Sequence, residues 1–154
     1  MRLADYLRPE LILPGLHSDD MESTIRALSH HLTEQHVVED GAEVREALME
    51  RERLHTTAVG HGVAIPHATV NGVDDTILLV AVAPDAIRFG PPESDPCRIF
   101  FLLLSPPGRE SQHIKLLARL SRLVRHPGFV ETLGGARSTE GVLEALREVD
   151  AQHV

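Results

Sequence analysis

Thr76-Ile77-Leu78-Leu79-Val80-Ala81-Val82-Ala83 and Arg98-Ile99-Phe100-Phe101-Leu102-Leu103-Leu104 decide how this chain folds. Each is a continuous apolar run. A strand with one wet face would alternate, so these read as strands buried on both faces, with a layer packed above and below. Both are far too short to span a membrane. The polar, Pro-rich stretch 84–96 between them reads as a loop or an edge excursion. Shorter β-prone pieces lie upstream at 57–60 and 63–65, broken by Gly60 and Gly62. The stretch 11–16 is a weaker strand candidate because Pro14 interrupts it.

Helical patterns surround these strands. Met21, Ile25, Leu28 and Leu32 form one apolar stripe of about four turns, with Ser18, Asp19 and Asp20 before it able to cap its free amides. Asp40-Gly-Ala-Glu43 has capping-box spacing and opens a second helix, with Val44, Ala47 and Leu48 inward and an end near Arg53. In the last third, Ile114, Leu117, Leu120 and Val124 are expected on one buried face. Pro127-Gly128 breaks that helix, and a short one follows through Phe129, Val130 and Leu133 until Gly134-Gly135 stops it. Ser138 caps a final helix that buries Val142, Leu143, Leu146 and Val149, after which 152–154 should fray. Helices before, between and after buried strands predict an α/β layered domain. The length of 154 residues fits one such domain, 1–154.

Composition narrows the function. Aromatic residues make up 3% of the chain with no Trp, so the core must rest on Leu, Val, Ile and Ala. The formal charge is −8 and no basic patch is visible. Binding nucleic acid needs clustered Lys and Arg, so that class is excluded. An acidic surface suits a basic protein partner instead. Cys97 is the sole cysteine, which rules out an internal disulfide and a CxxC site. The N-terminus has an early acid and no long apolar stretch, unlike a signal peptide, so a cytoplasmic protein is the expectation.

The chain carries ten histidines. His30, His31 and His36 sit on or just after the first long helix without HExxH spacing. His17, His126 and His153 are loop or terminal residues, and no role attaches to His61. His67 differs because of what precedes it, Gly60-His-Gly-Val-Ala-Ile-Pro-His67. Pro66 fixes its own φ and restricts Ile65, so the backbone entering His67 is stiff. Such a build presents a side chain at a strand end, where binding residues often lie; a histidine in an ordinary turn fits the same residues. His113 falls in the first turn or two of a helix starting near Arg109. The electropositive helix end there lets it help hold an anion, or it simply faces solvent. Arg51, in Glu50-Arg-Glu-Arg-Leu54, is either part of a solvated charged turn or a guanidinium fork for a phosphoryl group.

Taken together, Leu48-Met-Glu-Arg51-Glu-Arg-Leu54, Thr56-Thr57 and Gly60-x-Gly-Val-Ala-Ile-Pro-His67 resemble the fructose/mannitol class of enzyme IIA domains of the bacterial sugar phosphotransferase system, which includes the nitrogen-regulatory branch. The likeness continues through Ile87-Arg-Phe-Gly90, close to the mannitol type, to Gln112-His113-Ile114 and Leu117, and then to Val142-Leu-Glu-Ala-Leu146. It covers about residues 3–148. It implies a single-domain layered sandwich, a mixed β-sheet flanked by helices on both faces. It implies that His67 is the histidine phosphorylated on Nε2 and that His113 lies beside it and stabilises the phosphoryl group. Arg51 corresponds to the arginine near the site and Thr57 to a polar residue held close to the active histidine. The implied donor is the histidine-containing phosphocarrier protein HPr or its nitrogen-branch paralogue.

No cofactor or metal is expected, since phosphoryl transfer between histidines needs positioning and charge stabilisation only, and there is no Walker loop for ATP. Cys97 lacks the phosphate-binding loop of an enzyme IIB and reads as a core thiol. Two roles share the His67 chemistry. One is a stand-alone regulatory enzyme IIA, which the lone domain favours. The other is a transport component passing phosphate to a cysteine of a IIB partner, toward which Arg88-Phe-Gly pulls. A histidine-rich metal-binding protein is a third reading; its candidate ligands are not spaced to converge.

Overall fold

The two apolar runs pair with each other at the centre of the sheet. In this computed structural model, which describes residues 2–152, β5 (Ile77–Ile87) and β6 (Cys97–Ser105) are antiparallel neighbours. Their register runs from Ile77 opposite Leu104 to Val82 opposite Ile99. β1 (Ile12–Leu13) lies parallel on the far side of β5. On the far side of β6 lie β3 (Val63–Ala64) and β4 (His67–Thr69), both parallel to β6, and β2 (Ala58–Gly60) is antiparallel to β3. The sheet is therefore mixed, as expected.

Both faces are dry. Leu79, Ala81, Ala83, Phe100, Leu102 and Leu104 pack under α1 (Met21–Glu34) and α2 (Gly41–Leu54). Leu78, Val80, Val82, Ile99, Phe101 and Leu103 pack under α3 (Glu110–Val124), α4 (Phe129–Gly134) and α5 (Thr139–Gln152). Period-2 alternation sends neighbouring residues to opposite layers, which is why the runs show no polar position from Ile77 to Ala83 or from Ile99 to Leu104. Asp20 caps α1 in a reciprocal capping box with Ser23, and Ser138 caps the start of α5 through the Gly141 amide.

Several expectations need correction. β5 continues through Pro84 to Ile87, so the first part of 84–96 is strand, not loop. The register shifts between Val82 and Ile87, and a bulge is where a sheet tolerates proline. The strand expected at 11–16 shrinks to two residues before Pro14. The buried face of α3 is rotated from the expected stripe: His113, Leu116, Leu120, Leu123 and Val124 face inward while Ile114 is 64% exposed. Leucines on adjacent faces of α3 make either stripe plausible by spacing alone. Asp40 caps α2, but Glu43 accepts from the Asn71 amide and does not close a box. Of the tail expected to fray, Gln152 is helical, and His153 and Val154 lie outside the described residues.

A buried ion pair ties the chain ends to the α3–α5 layer. Arg119 donates from Nε to Asp150 at 2.8 Å and from Nη2 at 2.5 Å, with both side chains almost wholly buried. The same carboxylate accepts from the amides of Leu3 and Ala4. Burial pushes the Asp150 carboxyl up, but the Ala4 amide, the Arg119 guanidinium and the Leu3 amide outweigh it, and its pKa ends below the ordinary value. A carboxylate depressed in the folded state stabilises above the unfolded pKa, and that stabilisation is lost as pH falls through the folded pKa. Asp150→Ala strands a buried guanidinium and two amides, so chemical denaturation should show a loss of about 3–5 kcal/mol. A loss below about 1 kcal/mol would contradict this account of the clamp.

Candidate functional site

The strand running beside β6 is interrupted at Ile65-Pro66. β3 pairs with Ile99 and Phe100, and β4 resumes with His67 opposite Leu103. Pro66 has no N–H to give, yet its carbonyl accepts from the Leu103 amide at 2.9 Å, so the ladder spans the gap. His67 therefore opens a short strand, whereas the sequence reading put it at the end of one. The turn before β3 is left-handed at Gly60, His61 and Gly62; glycine tolerates this freely, and His61 adopts it between two glycines.

The break frees the Ile65 carbonyl for the His67 side chain. Nδ1 of His67 lies 2.7 Å from that oxygen. A carbonyl can only accept, so Nδ1 carries the proton and the neutral ring has its lone pair on Nε2. Burial lowers the proton affinity of His67; the Ile65 carbonyl raises it, and the Arg51 charge lowers it again, with the net pKa below the ordinary 6.5.

His113 faces His67, the ring centroids 5.6 Å apart and the planes tilted by 56°. It is 8% exposed, on the first turns of α3, with its own amide already bonded to the Arg109 carbonyl. It is thus neither a solvent-facing helix residue nor the bearer of an unpaired helix amide. Burial, then the neighbouring His67, holds its pKa down. Its Nδ1 lies 2.7 Å from Ser105 Oγ. Two neutral imidazoles in mutual contact, one buried and one half-buried, can offer one lone pair and one N–H to the same group, with no metal.

Arg51 closes α2 and donates to the His55 carbonyl at 2.8 Å. Its charge reaches His67, whose proton affinity it lowers. Thr57 is buried, and its amide and hydroxyl both donate to the Glu52 carboxylate. Its link to His67 runs through the backbone: the Thr57 carbonyl accepts from the Ile65 amide. Glu52, which the sequence reading passed over, anchors the α2–β2 connection; burial raises its pKa, and the Thr57 hydrogen bonds partly offset that. Ser105 was missed too, although a polar residue closing an apolar strand run is a visible signal, and open α/β sheets place ligands at the carboxyl ends of their strands.

Cys97 starts β6, buried, its thiol pushed up to about 11 by burial, Glu52 and Asp95. Among the described residues no group of three His, Cys, Asp or Glu side chains converges to hold a metal ion, and no helix is long and apolar enough to cross a membrane. His30 faces Glu34, and His31 contacts the Glu10 carbonyl, both remote in sequence from the histidine pair.

Residues 5–149 match the family model described as phosphoenolpyruvate-dependent sugar phosphotransferase system, EIIA 2. A nitrogen regulatory protein of Bradyrhizobium diazoefficiens is 34% identical over 146 residues, 95% of each chain. The crystal structure of nitrogen regulatory protein IIA-Ntr from Neisseria meningitidis superposes with a TM-score of 0.85 at 26% identity, covering 94% of this chain and 98% of that one. Enzyme IIA of mannitol from Escherichia coli, solved in complex with its phosphorylated enzyme IIB, gives 0.77 at 27% identity over 92% and 97%.

The depressed imidazoles carry a pH signature. The unfolded rings bind protons more tightly than the folded ones, so stability falls as pH drops through about 6.5 toward the lowered values. Replacing Arg51 by Gln removes a nearby positive charge, and an imidazole NMR titration should then find the His67 pKa higher than in the parent chain. An unchanged or lower value would show that Arg51 does not act on the ring.

Proposed function

The chain belongs to the EIIA 2 family of the phosphoenolpyruvate-dependent sugar phosphotransferase system, and on that premise we propose that it is a phosphoryl carrier that takes a phosphate onto Nε2 of His67. One observation carries this reading: the hydrogen bond from Nδ1 of His67 to the Ile65 carbonyl, which leaves Nε2 as the free lone pair.

The step follows from that geometry. The Nε2 lone pair attacks the phosphorus of a donor phosphohistidine, and the donor's P–N bond breaks with its electron pair returning to the donor ring. The His67 ring gains positive charge, and its Nδ1–H stays on the Ile65 carbonyl, a bond that strengthens when the donor is charged. A proton on Nε2 of His113 then donates to a phosphoryl oxygen, and the Arg51 charge favours the dianion. The lowered pKa of His67 keeps the nucleophile neutral near pH 7. Thr57 supports the site by fixing the backbone that carries Ile65.

The donor in this reading is HPr or its nitrogen-branch paralogue. A protein partner is supported by exposed apolar residues beside the site: Leu54 follows Arg51 by three residues, Val59 follows Thr57 by two, and Ile114 adjoins His113. The reading we favour is a regulatory enzyme IIA, because the nitrogen regulatory relative matches end to end. The second reading is delivery to a IIB cysteine for fructose or mannitol uptake, supported by the likeness to the mannitol protein solved with its phosphorylated IIB.

Incubation with phosphoenolpyruvate, enzyme I and HPr should place one acid-labile phosphate on the chain, and His67→Ala should abolish it. Full labelling of the variant would sink the assignment. His113→Ala should slow acceptance or onward transfer by about 100-fold, the cost of one preorganised donor; unchanged transfer in both directions would remove its role.

A further inference from the structure

A chain of polar side chains runs from His113 back to the N-terminal segment. Ser105 Oγ lies 2.7 Å from Nδ1 of His113 and 3.0 Å from Thr76 Oγ1. Thr76 Oγ1 lies 3.5 Å from Gln112 Oε1, and Gln112 Nε2 donates to the Tyr6 hydroxyl. The sheet builds this line. Ile77 stands opposite Leu104, so Thr76 and Ser105 meet at the next step of the β5–β6 ladder. Tyr6 arrives on a 3₁₀ turn, Leu3–Tyr6, whose first amides are held by Asp150.

Each hydroxyl has one proton, and keeping the 3.0 Å Ser105–Thr76 hydrogen bond leaves two arrangements. In the first, Nδ1–H of His113 donates to Ser105, Ser105 to Thr76 and Thr76 to Gln112, and Nε2 is a bare lone pair. In the second, Thr76 donates to Ser105, Ser105 donates to Nδ1, and the proton sits on Nε2. The first uses every contact seen. The second gives up only the Thr76–Gln112 contact, which at 3.5 Å is the weakest in the chain. The reversal is therefore cheap, and only the second arrangement presents an N–H to a phosphoryl oxygen.

We propose that Ser105 and Thr76 are positioning residues, a hydroxyl relay that holds the His113 proton on Nδ1 while His67 is unmodified and on Nε2 once a phosphoryl group is attached. The inference rests on the phosphoryl-carrier reading above. The proton count closes: each hydroxyl turns and keeps its proton, and the ring releases one proton to water from Nδ1 and takes one from water at Nε2. Gln112, held by Tyr6, is the fixed far end whose Oε1 accepts the Thr76 hydrogen bond in the unmodified state.

The test is nitrogen NMR of the imidazoles in the full chain, before and after phosphorylation by phospho-HPr. The parent chain should show the His113 proton on Nδ1 before and on Nε2 after. In Ser105→Ala the His113 tautomer should no longer depend on the phosphorylation state, and the pH profile of transfer should shift, while the His67 proton stays on Nδ1. Ser105→Thr, which keeps the hydroxyl, should restore the parent behaviour; a purely structural role for Ser105 would move neither readout. One tautomer in both states of the parent, or a Ser105→Ala spectrum like the parent's, would overturn the relay. A parent chain that takes no phosphate defeats the carrier reading instead. The relay is then decided by the unmodified protein: Thr76→Val and Ser105→Ala must alter the His113 nitrogen shifts, or it fails as well.

Discussion

Everything in this fold is hung on β6. It is hydrogen-bonded along both edges, to β5 on one side and to β3 and β4 on the other, and it is covered on both faces. A strand so enclosed has no freedom to slip, because a shift of one residue would exchange its two apolar layers. That fixed register places His67 opposite Leu103 and sets Ser105 at the strand's end, next to Thr76 and below His113. The site is a consequence of the core rather than an addition to it.

The proposed chemistry then needs one local irregularity. A continuous strand would engage the Ile65 carbonyl in a ladder; the interruption at Pro66 leaves it to the His67 side chain. A backbone acceptor sets the tautomer without introducing a charge that would hold a proton on the ring. Desolvation and the Arg51 charge act in the same direction and keep the ring neutral. Under the proposed function, a poised nucleophile and a neighbouring imidazole suffice, and the incoming group brings the negative charge that the site accommodates.

Much of this was legible in the residues. The two unbroken apolar runs announced a doubly covered sheet, and Asp20, Asp40 and Ser138 marked helix starts correctly. The stiff Ile65-Pro66-His67 passage singled out the residue that the structure sets against His113, although its strand β4 was too short for any periodic signal. The bulged continuation of β5 through Pro84 was hidden because proline reads as a breaker, and tertiary pairing with Cys97 overrode it. The phase of α3 was ambiguous because its leucines lie on adjacent faces. At the site, His67, His113 and Arg51 stood out by residue type. Glu52, Ser105 and Gln112 did not, because their residue types are common on any surface and their importance comes from the partners the fold brings to them: Thr57, Thr76 and His113, and Tyr6.

The proposed carrier function turns on the His67 ring presenting Nε2, not Nδ1, to phosphorus. Nitrogen and phosphorus NMR of the phosphorylated chain tests it most directly. The expected spectrum shows a phosphorus-coupled nitrogen assigned to Nε2 of His67, with Nδ1 still protonated. Phosphorus on Nδ1 of that ring, or on any other histidine, would contradict it.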